Sequence, residues 1–275
     1  MNPHAQQPAS ILALAGSVWR NRRLIAQMSK REVMSRYSGS VMGLAWSVIN
    51  PLMMLVVYTF VFSVVFKARW GSGDESRTQF ALVLFAGLIV HGLLSEVLMR
   101  APTLIISNVN YVKKVVFPVE ILPVISLAGA LFHCFVSVLV LLVASVFLTG
   151  TLQWTLVFLP LVLLPLVILT LGLAWAVAAV GVFVRDIGQI IGLLMTVLLF
   201  MSPVFFPVSA LPEPFRPWMM ANPLTFIIEQ TRQVTIWGGL PDMRGWLIYM
   251  VVAIFVAWVG FYCFQRTRKG FADVL

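Results

Sequence analysis

Hydrophobic residues in this chain come in long unbroken runs, not in alternation and not in narrow stripes. Six runs stand out, at about 41–66, 79–99, 119–148, 154–184, 187–206 and 246–264, each near or above the ~20 residues a helix needs to cross a bilayer. A transmembrane barrel would instead show segments of about ten residues with alternating faces, and neither face of any run is polar at period two. The pattern predicts an all-α integral membrane protein with six transmembrane helices in one domain at 41–266. A polar N-terminal segment (1–40) and a short tail (267–275) flank it.

Composition agrees with that class. Apolar residues make up 60% of the chain and charged residues 11%, and the mean hydropathy is +0.97, which excludes an ordinary soluble domain. The position of the charges adds an orientation. Thirteen of the 19 Lys and Arg residues fall in the N-terminal segment, the second and fourth breaks and the tail, and six fall in the remaining breaks. Cytoplasmic flanks are the ones enriched in cations, so both termini are expected in the cytoplasm. The net charge of +9 is then a topology signal with affinity for anionic lipid, and it does not indicate nucleic-acid binding.

The N-terminal segment lacks the apolar core and cleavage site of a signal peptide and is expected to be retained. At about 100° per residue, Ile11, Leu14, Ala15, Val18, Trp19 and Ile25 share one face, and Arg20, Arg23, Gln27 and Arg31 the opposite one. This is an amphipathic helix suited to the membrane interface. Arg22 interrupts the apolar face, from which its long stem can snorkel.

Little in the chain suggests chemistry. Cys134 and Cys263 lie in predicted spans without metal-ligand spacing. His91 and His133 are lone histidines in apolar helices, read as hydrogen-bonded packing residues with a proton relay as the alternative. Glu96 and Arg100, four apart, are expected to pair with each other, since a lone charge at mid-bilayer costs about 2.5–3.5 kcal/mol. The sequence contains no phosphate loop ending in Lys-Ser/Thr, no nucleophile elbow and no array of intramembrane carboxylates like that of an ion-coupled carrier. A six-span chain of this kind is expected to draw energy from another polypeptide.

The second break, "NVNYVKKVVFPVEILP" (108–123), is unusual for its charge. Ser107 or Asn108 can cap a short helix with Asn110, Lys113 and Lys114 on one flank and valines, Val112 among them, on the other. Pro118 suits the first turn of the next span, and Glu120 its positive end. Such an element can transmit a push from a soluble partner or simply lie on the membrane surface. In the first span Tyr58, Phe62 and Phe66 recur every fourth residue, within a stripe ~80° wide. Such a stripe either lines a path through the protein or packs on neighbouring helices. Asn50 and Pro51 lie below it, and Pro51 can kink the span.

These stretches also carry a resemblance. "RYSGSVMGLAWSVINPL" (36–52), residues 108–123, "VRDIGQ" (184–189), "SPVFFP" (202–207) and "NPLTFIIEQTRQ" (222–233), in this order, resemble the membrane subunit of type-2 ABC exporters, in the branch that exports O-antigen, capsule or teichoic-acid polysaccharides. The resemblance covers nearly the whole chain. It implies a homodimer bound to two copies of a separate ATP-binding subunit. ATP and Mg would sit on that partner with no cofactor on this chain, and a lipid-linked polysaccharide would move outward across the bacterial cytoplasmic (inner) membrane. It further implies that the coupling-helix region (101–118, continuing to Pro123) meets the ATPase through Asn108, Asn110, Val112, Lys113, Lys114 and Glu120. Arg185 and Asp186 match a second, shorter contact. Residues 203–244 match re-entrant outer helices that cap the pore, with Pro203, Phe205, Phe206 and Phe226 as the outer gate. Two other readings stay open. One is a membrane enzyme or assembly factor acting on lipid-linked sugars through His91, Glu96 and Glu229, which no spacing brings together. The other is a type-2 ABC permease for a drug or small lipid.

Overall fold

A computed structural model describes residues 11–65, 77–113 and 117–275, with side chains for 16–62, 79–111, 117–271 and 273–275. Most of the described residues are helical, and no strand occurs among them. Helices α1 (Ile11–Arg20) and α2 (Arg22–Tyr37) precede the membrane bundle. The bundle contains α3 (Trp46–Tyr58, continued by a π-helical stretch Thr59–Val65), α4 (Arg77–Leu104), the short α5 (Val109–Lys113), α6 (Leu122–Thr149), α7 (Leu159–Phe183) and α8 (Ile187–Phe200). Short α9 (Arg216–Ala221) and α10 (Pro223–Thr235) follow, then α11 (Met243–Thr267) and α12 (Phe271–Val274).

Five helical stretches among the described residues are long and apolar enough to cross a membrane: Gly43–Phe62, Gln79–Leu104, Val119–Thr149, Trp154–Phe183 and Met243–Gly270. The remaining expected crossing, 187–206, contains a helix of only 14 residues, about 21 Å long at 1.5 Å per residue. Its early end has a local cause. Pro203 cannot donate the next helical hydrogen bond and disfavours helical backbone at the residue before it, and the Ser202 hydroxyl donates back to the Leu198 carbonyl.

The amphipathic N-terminal helix is two helices. Asn21 breaks it, its amide donating to the Ser17 carbonyl at 2.8 Å. Leu24, Ile25 and Met28 pack inward on the bundle, and Arg20, Arg23, Gln27 and Arg31 are exposed, as expected. Arg22 is accommodated by Trp19. Its guanidinium lies 4.8 Å from that indole, a cation–π contact that turns the interruption into a local tie.

Helix α4 is the axis of the bundle. Of its apolar stretch 72% is buried, against 6% in the first span, and α6, α7, α8 and α10 all pack on it. Close crossings need small residues where backbones meet. A Cβ on Gly172 of α7 would lie 2.5 Å from the Ala257 Cα of α11, a Cβ on Gly260 would overlap the Gly172 carbonyl, and one on Gly181 would overlap Pro102. The far end of α6 closes with Gly150 at φ 70°, a left-handed cap that glycine adopts without strain.

Overpacking a close crossing costs about 1–3 kcal/mol. Gly260→Leu is therefore expected to lower the thermal unfolding midpoint of detergent-purified protein. Gly192→Ala, where a Cβ meets open space, leaves it unchanged.

Candidate functional site

At the basic end of the bundle α4 runs into a turn at Ile106–Asn108 and then α5. Ser107 and Asn108 do not cap α5. Both side chains bond back to the Leu104 carbonyl, Asn108 at 2.9 Å, extending the end of α4. Asn110 is exposed. Tyr111 stacks on Phe117 with centroids 4.7 Å apart, which pins α5 to the start of the next span. The side chains of Val112 and Lys113, and the whole of Lys114, lie outside the described residues. Pro118 sits before a 3-10 turn at Val119–Ile121, and Pro123 takes the first turn of α6. Arg185 and Asp186 are exposed in the connection from α7 to α8.

Glu120 faces inward. Its side chain is 3% exposed, accepts from Ser17 Oγ at 2.9 Å and pairs with Arg268 Nη1 at 2.9 Å. The Trp175 indole N–H donates to its backbone carbonyl at 2.9 Å. One buried residue thus joins α1, the start of α6, α7 and the C-terminal segment.

Above this end, α2 is fastened to the bundle by charge. The expected Glu96–Arg100 pair does not form. Glu96 pairs with Arg36 and Arg100 with Glu32. The physical reason is a matched spacing. Glu32 and Arg36 on α2, four apart, meet Glu96 and Arg100 on α4, also four apart, in antiparallel register, so each charge finds an opposite across the helices. A pair within one helix contributes only about 0.2–0.5 kcal/mol. Two Glu-x-x-x-Arg segments in one chain are the signal that could have revealed this. His133 of α6 is not a lone histidine either. Its Nδ1 lies 2.8 Å from Glu96 Oε1 and 2.8 Å from Arg36 Nη1, and its Nε2 lies 3.0 Å from the Tyr37 hydroxyl. Desolvation, with a smaller push from Glu96 and some opposition from Arg36, moves the Tyr37 phenol above its ordinary pKa.

This charged cluster forms the basic end of a cavity of about 810 Å³ between α2, α3, α4 and α6. Trp46, Asn50, Tyr58, His91 and Ser137 line it further along. His91 donates from Nε2 to the Met195 carbonyl of α8 at 3.0 Å, so it acts as a packing tie. Glu229, the third member of the enzyme alternative, pairs elsewhere with Arg232. Among the described residues no group of three or more His, Cys, Asp or Glu could hold a metal ion.

The aromatic stripe divides. Tyr58 lines the cavity. Phe62 packs on Phe80 (5.9 Å) and stacks on Phe205 (5.6 Å, 26°), which stacks in turn on Phe200 at the same distance. Phe66 lies outside the described residues, and Phe60 is 58% exposed on the other side. Two groups singled out separately in the sequence, Phe62 and Phe205, thus form one stack. Pro203 is buried beside it and Phe206 half-buried, whereas Phe226 stacks on Tyr249 of α11 at 6.0 Å.

Arg232, which the charge count treated as a loop cation, is fully buried. Its Nε donates to the Val83 carbonyl (2.9 Å), its Nη2 to the Val204 carbonyl (3.1 Å) and its Nη1 to Glu229 (3.1 Å). Asn222 adds bonds to the Met201 carbonyl and Ser202 hydroxyl at 2.9 and 3.0 Å. Together they hold the segment that carries Phe205. A Glu and an Arg three apart in α10, next to its apolar face of Leu224, Ile227 and Ile228, were the available hint.

The sequence compares well with known proteins over its length. The family model described as "ABC-2 type transporter" matches residues 23–236. The chain is 26% identical to the O-antigen export system permease protein RfbA of Myxococcus xanthus, over 96% of this chain and 99% of that protein. An RfbA of Klebsiella pneumoniae is 25% identical over 92% and 95%. The polysialic acid transport protein KpsM of Escherichia coli is 24% identical over 87% and 91%.

Two outcomes follow from the geometry. With Cys134 and Cys263 replaced by Ala, Ser137→Cys is expected to react with a water-soluble maleimide and Phe135→Cys, 60% exposed on the outer face, is not. Equal reactivity would remove the cavity as an aqueous compartment. Arg232→Met strands two carbonyls and Glu229 and is expected to cost about 3–5 kcal/mol, seen as loss of thermal stability in detergent. Arg232→Lys recovers only part, because an ammonium cannot reproduce the guanidinium fork.

Proposed function

The chain belongs to the ABC-2 type transporter family, and we propose that it is the permease subunit of an exporter of lipid-linked polysaccharide, driven by ATP hydrolysis on a separate subunit. The observation that carries this reading is similarity from end to end with permeases named for O-antigen export and polysialic acid transport. Two copies of the permease and two of the ATP-binding subunit, with ATP and Mg on the latter, make the working unit. It lies in the bacterial cytoplasmic membrane with both termini inside, and α8 with residues 201–206 completes a sixth crossing.

The site chemistry is consistent with a glycan. The cavity combines the rings of Tyr37, Trp46 and Tyr58 with the hydrogen-bonding groups of Asn50 and Ser137, the mixture that suits a sugar's apolar faces and hydroxyls. Tyr58 is the stripe residue we assign to the path. Phe62 and Phe205 belong to the outer closure with Pro203 and Phe206, and the re-entrant segment to 244 supports it. Phe226 steadies that segment from α11. On the other side α5, with Asn108, Asn110, Val112, Lys113 and Lys114, receives the ATPase, and Arg185 with Asp186 forms the second contact.

Deletion of the gene is expected to trap polysaccharide inside the cell, and mild-detergent purification to recover an ATPase with this chain. The double variant Lys113→Glu/Lys114→Glu is expected to insert normally but lose export. Either single reversal is mild, since one exposed ion pair contributes about 0–1 kcal/mol. Normal export by the double variant at normal protein level would remove these charges from coupling.

A further inference from the structure

The Glu120 knot sits where the partner-facing segment enters the bundle, and its connections lead away from that segment in several directions. Glu120 Oε1 accepts from Ser17 of α1 and Oε2 from Arg268. Arg268 Nη2 also reaches the Phe117 carbonyl at 3.4 Å, the residue on which Tyr111 of α5 stacks. The C-terminal segment is anchored by Phe271, which is fully buried against Phe183 and Phe264, and α12 packs on α5 and α7. Residues 117–120 are therefore held between α1 and the C-terminal segment.

The N-terminal side of the knot leads to the cavity. Ser17 is joined to α2 through Asn21, whose amide bonds the Ser17 carbonyl and whose own carbonyl accepts the Ile25 N–H at 2.9 Å. The other end of α2 carries Arg36 and Tyr37, which contact Glu96 and His133 at the cavity's basic end. A displacement of α5 thus has a route to the helix that covers that end, through the Tyr111–Phe117 stack and then the hydrogen bonds of Arg268, Glu120, Ser17 and Asn21.

We propose that Glu120, held by Ser17 and Arg268, is a positioning residue that transmits movement of the 109–113 segment to the α1–α2 unit and so opens the cavity at its Arg36–Glu96–His133 end. This rests on the exporter reading, in which that segment meets an ATPase. Glu120 then acts from within the permease and does not itself touch the partner. The mechanism needs a rigid joint, and a buried carboxylate with both oxygens engaged supplies one. Loss of Arg268 would leave the charge uncompensated and the joint loose.

The test uses the complete complex with its ATPase subunit in proteoliposomes, with Cys134 and Cys263 replaced by Ala and Ser137→Cys as reporter. Maleimide labelling is compared between the nucleotide-free and vanadate-trapped states. The parent complex is expected to change its labelling rate between states. Arg268→Met and Ser17→Ala are expected to retain ATP hydrolysis while that change shrinks about tenfold, a typical size for coupling between sites. Adding Glu120→Gln to Arg268→Met removes the stranded charge and is expected to restore protein yield without restoring the labelling change. If Arg268→Met does not accumulate, Ser17→Ala and the Glu120→Gln/Arg268→Met double variant carry the test. An unaltered labelling change in those variants, or a fall only in protein amount, overturns the proposal and leaves the exporter reading intact. A parent complex that hydrolyses no ATP overturns both.

Discussion

Apolar packing cannot choose helix neighbours inside a bilayer, because a lipid tail is as good a contact for leucine as another leucine. What discriminates is the need to satisfy polar groups that hydrocarbon will not solvate. Three clusters in this chain meet that need: Glu120 with Ser17 and Arg268, Glu96 with Arg36 and His133, and Arg232 with Glu229 and the Val83 and Val204 carbonyls. Each joins segments distant in sequence. α4 is central because it takes part in two of them, through Val83 near one end and Glu96 near the other.

Small residues then set how closely the helices approach. The crossing of α7 and α11 at Gly172 and Gly260 leaves no room for side chains, and next to it Trp175 and Phe261 meet edge to face at 5.2 Å. Backbone contact followed by an aromatic pair makes this half of the bundle stiff. The half built on α3 is different. That helix is hardly buried and borders the cavity, and such sparsely packed elements are the ones expected to open locally. The fold therefore places its rigid frame beside α7 and α11 and its adaptable wall beside α3.

The sequence announced the long helices because hydrophobicity over 20 residues is a property of the segment itself. It announced the exposed face of α2 for the same local reason, but the apolar run to residue 206 hid the end of α8 at Phe200. What it did not announce was pairing. Glu96 and Arg100 satisfy the spacing rule for one helix, yet both bind α2, and no local rule distinguishes the two outcomes until α2 is known to lie alongside. His133 read as solitary because its partners come from sequence positions 36, 37 and 96. Arg232 read as a loop cation because α10 is short and follows a proline-rich stretch. The resemblance drew attention to residues 108–123 but could not say which way Glu120 turns.

The two ends of the bundle are closed by different physics, and the difference bears on transport. At the basic end the Arg36 side chain is 45% exposed and that of Glu96 19%, so water reaches the pair and replaces part of what separation removes. At the far end Arg232 is wholly desolvated, and breaking its contacts costs several kcal/mol, with the Phe62–Phe205–Phe200 stack adding about 0.5–1.5 kcal/mol per aromatic pair. Of the two, the basic end is the less costly to separate. That order suits the exporter proposed above, in which the energy source acts at one face and the permeability barrier is kept at the other until a chain fills it.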